Sequence, residues 1–141
     1  MCEKIFKNPP TIALIHNISK NQIKYLNSEI SKFNIGSEIR FILMIYDNPN
    51  CSQEDIVNYY GESRSNVAKA VKKLENQHLI TRKVDSKNKR KYMLKTTKQG
   101  NELAPKIRQI SKQWEKEVGI LDDKEFNDKL KKIAIKGMKI I

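Results

Sequence analysis

The amino-acid sequence predicts a mainly α-helical fold with a small β-hairpin wing: a winged helix-turn-helix lobe with long helices on both sides. Three observations predict this fold. Two short helical patterns meet at Gly61, as they do in a helix-turn-helix. After Leu79 apolar and polar residues alternate, which is the pattern of strands. Long amphipathic helical patterns precede and follow this central region.

The expected organisation is a single domain over residues 1–141, because a chain of this length fits one hydrophobic core. The winged lobe spans 37–100, and the flanking helices lie within 11–34 and 101–141. Since 31% of the residues are charged, the core must be modest, and the apolar faces of the flanking helices exceed what one small chain covers. We therefore expect these helices to pair two copies in a homodimer.

Two helices are predicted before the helix-turn-helix. The first spans Thr11–Phe33, where apolar residues recur at steps of three and four after a pair of prolines. The second begins after Gly36, with Ser37 as its N-cap and an almost entirely apolar sequence. It must end at the turn-forming run Asp-Asn-Pro-Asn of residues 47–50.

The helix-turn-helix is predicted from two caps and a glycine. Ser52 and Asp55 have the spacing of a capping box, in which each side chain bonds the backbone N–H of the other. Gly61 then makes a sharp turn, and Ser63 caps the second helix of the motif. The buried stripe of that second helix has helical spacing and consists of Val67, Ala70, Val71 and Leu74.

A β-hairpin follows, which we call the wing. Its strands are predicted at residues 79–84 and 91–95, around a long basic tip at residues 85–90.

Two more helices are predicted after the wing. Thr97 is expected to cap the first of them, in which Pro105 removes one backbone hydrogen bond. The last helix is expected to start at Asp122, where Glu125 would complete a second capping box. The apolar side of this last helix consists of Phe126, Leu130, Ile133, Ile135 and Met138.

Positive charge is concentrated on the second helix of the motif and on the wing. The segment Glu62–Lys98 contains twelve Lys and Arg residues against three acids, which is +9 of the chain's formal charge of +12. Such a concentration is typical of a phosphate-binding surface and predicts binding to duplex DNA. Two alternatives remain: an RNA-binding module, and a winged-helix module that binds protein without operator specificity. A membrane surface is disfavoured, because the densest bases lie among polar residues rather than opposite a broad apolar face.

The residues that contact DNA are predicted on the outward side of the second helix. Residues near the N-terminus of such a helix reach base edges in the major groove. By its chemistry Arg64 suits guanine, Asn66 suits adenine, and the methyl group of Ala68 suits thymine. The lysines further along are expected to meet phosphate, and the alternative is an ordinary solvated face. The full set on this helix is Ser63, Arg64, Ser65, Asn66, Ala68, Lys69, Lys72 and Lys73.

The tip of the wing supplies the second predicted DNA contact, through Lys87, Lys89 and Arg90. An arginine at such a tip can enter a narrow minor groove, and Arg90 is the better candidate for this role. The alternative is a charged edge hairpin that prevents strands of different molecules from pairing. The density of bases at the tip exceeds that need.

The sequence contains no pattern typical of an enzyme or a metal site. It has no nucleophile motif, no Gly-rich phosphate loop and no carboxylate dyad, and His16 and His78 lack partner ligands at useful spacing. We therefore expect no cofactor. Cys51 is expected to pack on Ile56, whereas a redox role for Cys2 stays open. Without a signal-peptide pattern or an apolar run that could span a bilayer, the expected location is the cytoplasm.

The order of these elements resembles the MarR (multiple antibiotic resistance regulator) family. The resemblance covers nearly the whole chain and is most specific between Ser52 and Gly100. It implies a homodimeric winged-helix transcription factor that binds pseudopalindromic operators. Many such proteins are repressors released by a small aromatic effector or by oxidation, although the sequence does not identify effector-binding residues here. The runs that carry the resemblance are Ser52-Gln53-Glu54-Asp55-Ile56, Ser65-Asn66-Val67-Ala68-Lys69, Leu74-Glu75, Leu79-Ile80-Thr81-Arg82, Asn88-Lys89-Arg90 and Thr97-Lys98-Gln99-Gly100.

The sequence departs from the family pattern at three positions. Asn88 replaces the acid that usually fixes the wing arginine, so Arg90 keeps a hydrogen-bond partner but loses a charged one. Thr96 replaces a leucine, which should weaken packing at the end of the wing. His78 replaces a glycine after the second helix and is expected to tolerate a positive φ.

Overall fold

A computed structural model describes residues 7–30 and 32–141 of the chain. The chain divides into two compact units, Met1–Ser37 and Glu38–Ile141. In the described ranges no helix is both long enough and apolar enough to cross a membrane.

The described residues of the first unit contain one helix, α1, at Thr11–Glu29. The predicted extension of α1 to Phe33 is wrong. The helix ends two residues after Asn27. The Asn27 side chain donates a hydrogen bond to the carbonyl oxygen of Ile35 at 2.6 Å and accepts one from the N–H of Ile35 at 2.8 Å. These two bonds place the backbone of Ile35 beside the side chain of Asn27.

The apolar residues of α1 are unevenly buried. Leu26 is buried, as is Ile30 just beyond the helix. In contrast, Ile12, Ile15 and Ile18 near the start of α1 are 78%, 56% and 49% exposed. The early half of α1 therefore has an apolar face that stays open to solvent in the single chain.

The second unit begins with α2 at Ile39–Asp47. Glu38 precedes the first helical residue and is the N-cap position, so the predicted cap at Ser37 is wrong by one residue. The carbonyl oxygen of Glu38 accepts from the N–H groups of Phe41 and Ile42, which starts the helix there. Phe41, Ile42 and Ile45 are buried and form one side of the core.

The helix-turn-helix forms as predicted. Its first helix, α3, spans Gln53–Tyr60 and begins with the predicted capping box. Gly61 then adopts the left-handed conformation at φ 62° that makes the turn. The second helix, α4, spans Arg64–Asn76 and is capped by Ser63, whose hydroxyl accepts from the N–H of Asn66 at 3.1 Å. Its fully buried residues are Val67, Val71 and Leu74, and Ala70 is half-buried.

The wing belongs to a three-stranded antiparallel sheet rather than to an isolated hairpin. Its strands are β1 (Cys51–Ser52), β2 (Ile80–Val84) and β3 (Tyr92–Thr96), in the order β1-β3-β2. The predicted hairpin is confirmed to within a residue at each end. Cys51 lies opposite Leu94 in the added pairing, which sequence analysis missed because a two-residue strand has no periodicity.

Helix α5 spans Lys98–Glu117, and α6 spans Lys124–Lys139. The predicted cap of α5 is confirmed, because the hydroxyl of Thr97 accepts from the N–H of Gly100 at 3.1 Å. The predicted start of α6 is wrong. Asp122 has a φ of 58°, and Asp123 instead caps the helix by accepting from the N–H of Phe126 at 3.0 Å.

The core of the second unit lies where α2 packs against α4, α5 and β3. Helix α5 contributes three large apolar side chains to it, Leu103, Ile107 and Trp114. In contrast, no residue of α6 is buried, and Leu130, Ile133, Ile135 and Met138 are exposed. The predicted apolar side of α6 therefore exists as an open face.

Candidate nucleic-acid interface

Helix α4 presents its predicted contact residues to solvent. Its start is set by the Ser63 cap, and its buried stripe turns the opposite side outward. Every residue of the set predicted on α4 and its cap is exposed: Ser63, Arg64, Ser65, Asn66, Ala68, Lys69, Lys72 and Lys73. These side chains are therefore accessible to a ligand, and their contact with DNA stays a prediction.

Arg64 forms a bidentate ion pair with Glu54 of α3. Its Nε donates to one carboxylate oxygen at 3.1 Å and its Nη2 to the other at 2.8 Å. The hydrogen bonds from Arg64 lower the pKa of Glu54, and those same bonds raise the pKa of Arg64. The Arg64 side chain is still 79% exposed, so the guanidinium is oriented by the acid without being covered.

Asn66 is held by an acid as well. Its amide nitrogen donates to Glu62 Oε1 at 3.0 Å. Glu62 also accepts from Arg40 of α2 at 2.9 Å and from the N–H of Ser63 at 3.2 Å. These donors, with Asn66 contributing most, lower the pKa of Glu62. The two polar side chains of α4 that are predicted to read bases, Arg64 and Asn66, thus each contact a carboxylate that sequence analysis did not assign to the site.

Lys73 has a structural partner. It forms an ion pair with Glu38, whose side chain is only 8% exposed. A buried carboxylate is costly to leave without a counter-charge, so this pair ties α4 to the start of α2. Contact of Lys73 with phosphate stays a prediction, while exposed Lys69 and Lys72 further support a phosphate-binding face.

The tip of the wing is ordered by short hydrogen-bonded turns. Asp85 Oδ1 accepts from the N–H of Lys87 at 2.9 Å, and Asn88 Oδ1 accepts from the N–H of Arg90 at 3.1 Å. Asn88 therefore supports the backbone of Arg90. Lys87, Lys89 and Arg90 are all exposed.

One groove brings together residues from α4 and the wing. Arg64 lines it from α4, and Asn88, Arg90 and Lys91 line it from the wing. Glu54 lies in the same groove, and its carboxylate neutralises part of the positive charge there by pairing with Arg64. Sequence analysis did not include Lys91 in the site, although the density of bases around it was the available signal. Two separately predicted contact regions thus share one surface.

Two other predicted features lie outside this surface. Thr96 is buried, and its hydroxyl donates to Asn101 Oδ1 at 2.5 Å, so the polar replacement has a partner. His78 adopts a φ of 58°, which confirms the expected positive φ.

The two cysteines differ in what the structure describes. Cys51 is buried at the position that precedes the Ser52 cap, and burial raises the pKa of its thiol to about 11. Cys2 lies outside the described residues. Within 7–30 and 32–141, no group of three or more His, Cys, Asp or Glu residues is arranged to hold a metal ion.

Comparison with known proteins agrees with this architecture. The model of the MarR family matches residues 37–92. The chain is similar to the HTH-type transcriptional regulator BilQ of Clostridioides difficile, with 23% identity over 129 residues that cover 91% of this chain and 84% of that protein.

Two solved structures show the same fold. The crystal structure of MarR has a TM-score of 0.80 and 22% identity, with 95% of each chain covered. A MarR-family transcriptional regulator of Listeria monocytogenes, solved in complex with a 26mer DNA, has a TM-score of 0.78 and 23% identity. That comparison covers 93% of this chain and 91% of the Listeria chain. The predicted winged helix-turn-helix fold is confirmed.

Proposed function

We propose that this chain, whose residues 37–92 match the model of the MarR family, is a sequence-specific DNA-binding transcriptional regulator of that family that acts as a homodimeric repressor. The observation that carries the proposal is the shared groove of α4 and the wing. Arg64 and Arg90, which are 26 positions apart in the sequence, line it together. A duplex laid along this surface would meet α4 in its major groove and the wing tip in the adjacent minor groove.

The exposed apolar faces support a homodimer. The open faces of α1 and α6 carry aliphatic side chains that a second copy would cover. A two-fold axis would present two α4 helices to the duplex, with half-sites about one helical turn apart. The operator would accordingly be pseudopalindromic.

Binding rather than catalysis is the proposed activity. The family and fold are those of transcriptional regulators, and the exposed residues of the site are suited to phosphates and base edges. We place the protein in the cytoplasm with its DNA. Release by a small aromatic effector stays a prediction from the family resemblance.

A mobility-shift comparison tests the proposal against its two alternatives. The full chain is titrated with duplex DNA from its own upstream region, with scrambled duplex, with single-stranded DNA and with RNA, at two salt concentrations. Preference for one upstream duplex is expected. If the dimer neutralises about eight phosphates, the logarithm of the binding constant should fall with the logarithm of salt at a slope of about −7.

Two results would overturn this reading. Equal or tighter binding to RNA would favour the RNA-binding alternative. A salt slope flatter than about −3 would show that most of the basic surface lies outside the interface, as a protein-binding module predicts.

A further inference from the structure

The contact between Asn66 and Glu62 fixes which end of the Asn66 amide faces the acid. A carboxylate only accepts hydrogen bonds, so the amide nitrogen of Asn66 must be the atom that faces Glu62, at 3.0 Å. The carbonyl oxygen Oδ1 is then at the other end of the amide. Turning the amide over would place two acceptors against each other.

Glu62 is itself firmly held. Its other carboxylate oxygen accepts from Arg40 Nη2 at 2.9 Å. The Arg40 guanidinium lies 4.9 Å from the ring centres of both Phe41 and Tyr60, and the Tyr60 hydroxyl donates to the carbonyl oxygen of Arg40 at 2.9 Å. Arg40 of α2 and Tyr60 of α3 therefore hold the Glu62 carboxylate in place. The positive charge of Arg40 also offsets the repulsion between Glu62 and DNA phosphate.

We propose that Glu62 is a positioning residue that determines base specificity, because it locks the Asn66 amide in the one orientation that suits adenine. This inference rests on the proposed function. In the major groove adenine offers the acceptor N7 and the donor N6. Asn66 has two amide hydrogens, one given to Glu62 and one for N7, while Oδ1 accepts from N6. Guanine offers two acceptors, O6 and N7, and does not match a locked donor–acceptor pair.

Glu54 provides a matched comparison within the same surface. It is also an acid that pairs with a predicted base-reading residue of α4, namely Arg64. A guanidinium carries donors only, so it has no second orientation that could reverse its hydrogen-bonding pattern. Replacing either acid by glutamine removes one negative charge close to the DNA, but only the change at Glu62 frees an amide to turn over.

The test is selection of bound sequences from a randomised duplex library by the full-length protein. Wild type, Asn66→Ala, Glu62→Gln and Glu54→Gln are compared. Asn66→Ala is expected to abolish the preference for adenine at one position of each half-site. Glu62→Gln should weaken the preference at that same position by about fivefold or more, because glutamine can also donate and so lets Asn66 turn over. Glu54→Gln should leave the adenine preference at that position intact.

The outcomes separate the inference from the function on which it rests. A wild-type protein that enriches no sequence would overturn both. A wild-type protein that enriches an operator while Glu62→Gln keeps the full adenine preference would overturn the role of Glu62 alone. In the Asn66→Ala background, Glu62→Gln must produce no further change at this position, and a further change there would contradict the inference.

A second variant, Arg40→Gln, tests the inference if Glu62→Gln does not fold. Arg40→Gln leaves the acid in place but removes its anchor, so it should weaken the same adenine preference, by less than Glu62→Gln does. If folded Arg40→Gln retains the full preference while Glu62→Gln does not fold, the inference is overturned.

Discussion

The carbonyl oxygen of Leu79 lies 2.2 Å from the position that a Cβ atom on Gly100 would occupy. This close approach joins the entry of the wing to the first turn of α5. The same oxygen accepts a hydrogen bond from the N–H of Thr97 at 3.0 Å, which holds the two segments together. Only glycine leaves room for this contact, so Gly100 sets how the wing and α5 pack.

Gly100→Ala should therefore destabilise the protein, by about 1–3 kcal/mol, because the added methyl group overlaps a backbone oxygen. Gly137→Ala is the matched control. Gly137 also lies in a helix, but nothing lies within 4 Å of an added Cβ atom there, so this change should stabilise by about 0.5–1 kcal/mol. Urea unfolding of both variants measures the difference. A Gly100→Ala variant as stable as wild type would contradict the close approach.

Truncation of Asn66 and truncation of Arg90 should change DNA binding in different ways. Asn66→Ala removes a base-reading group and should cost about 1–3 kcal/mol on the operator and little on scrambled duplex. Arg90→Ala removes a minor-groove contact and should weaken binding to both duplexes, more so where the flanking groove is narrow and A/T-rich. Titration of both variants on both duplexes checks this. Equal losses on both duplexes from both variants would show that α4 does not read sequence.

The open face of α6 should mediate dimerisation. Ile133 lies on this face and is 56% exposed in the single chain. Ile133→Glu would place a charge in the interface and should shift the protein from dimer to monomer at micromolar concentration in sedimentation experiments. Lys131→Glu, at an exposed polar position of the same helix, is the control and should leave the dimer intact. A wild-type protein that sediments as a monomer would contradict the homodimer.

The capping box of α3 should make stability depend on pH. The hydrogen bond from the Ser52 N–H, followed by that from the Ser52 hydroxyl, lowers the pKa of Asp55. A carboxyl whose pKa is lower in the folded state stabilises that state above its unfolded pKa of about 3.9, and this stabilisation is lost as pH falls through the folded pKa.

Asp55→Ala should accordingly cost about 1 kcal/mol at neutral pH. The difference from wild type should shrink as pH falls below about 4. Unfolding curves measured from pH 7 to pH 3 test this. A difference that stays constant over this range would mean that the charge of Asp55 contributes nothing to the cap.

Cys51 should be unreactive in the folded protein. With a pKa raised to about 11 by burial, its thiol is almost entirely protonated at pH 8, and the thiolate is the reactive form. In a Cys2→Ser background, which removes the only other cysteine of the sequence, iodoacetamide should not label Cys51 until denaturant is added. Mass spectrometry reads the labelling. Rapid labelling of the native protein at pH 8 would contradict the burial of the Cys51 thiol.

The sequence by itself determined the helix-turn-helix and the wing. The caps of α3, α4 and α5 join residues three positions apart, and helical or alternating patterns repeat within a few residues. Such interactions are local, so they can be predicted from the amino-acid sequence alone. The concentration of positive charge between Glu62 and Lys98 is equally a property of the order alone.

Only the tertiary structure decided which charges are paired and which segments meet. Arg40 and Glu62, or Lys73 and Glu38, are too far apart in the sequence for any local pattern to join them. Strand β1 forms only because β3 lies beside it, and α1 ends near Asn27, which is hydrogen-bonded to Ile35. Arg64 and Arg90 likewise share a groove only after the wing has folded back beside α3. These contacts depend on packing between distant segments, which periodicity and capping rules do not describe.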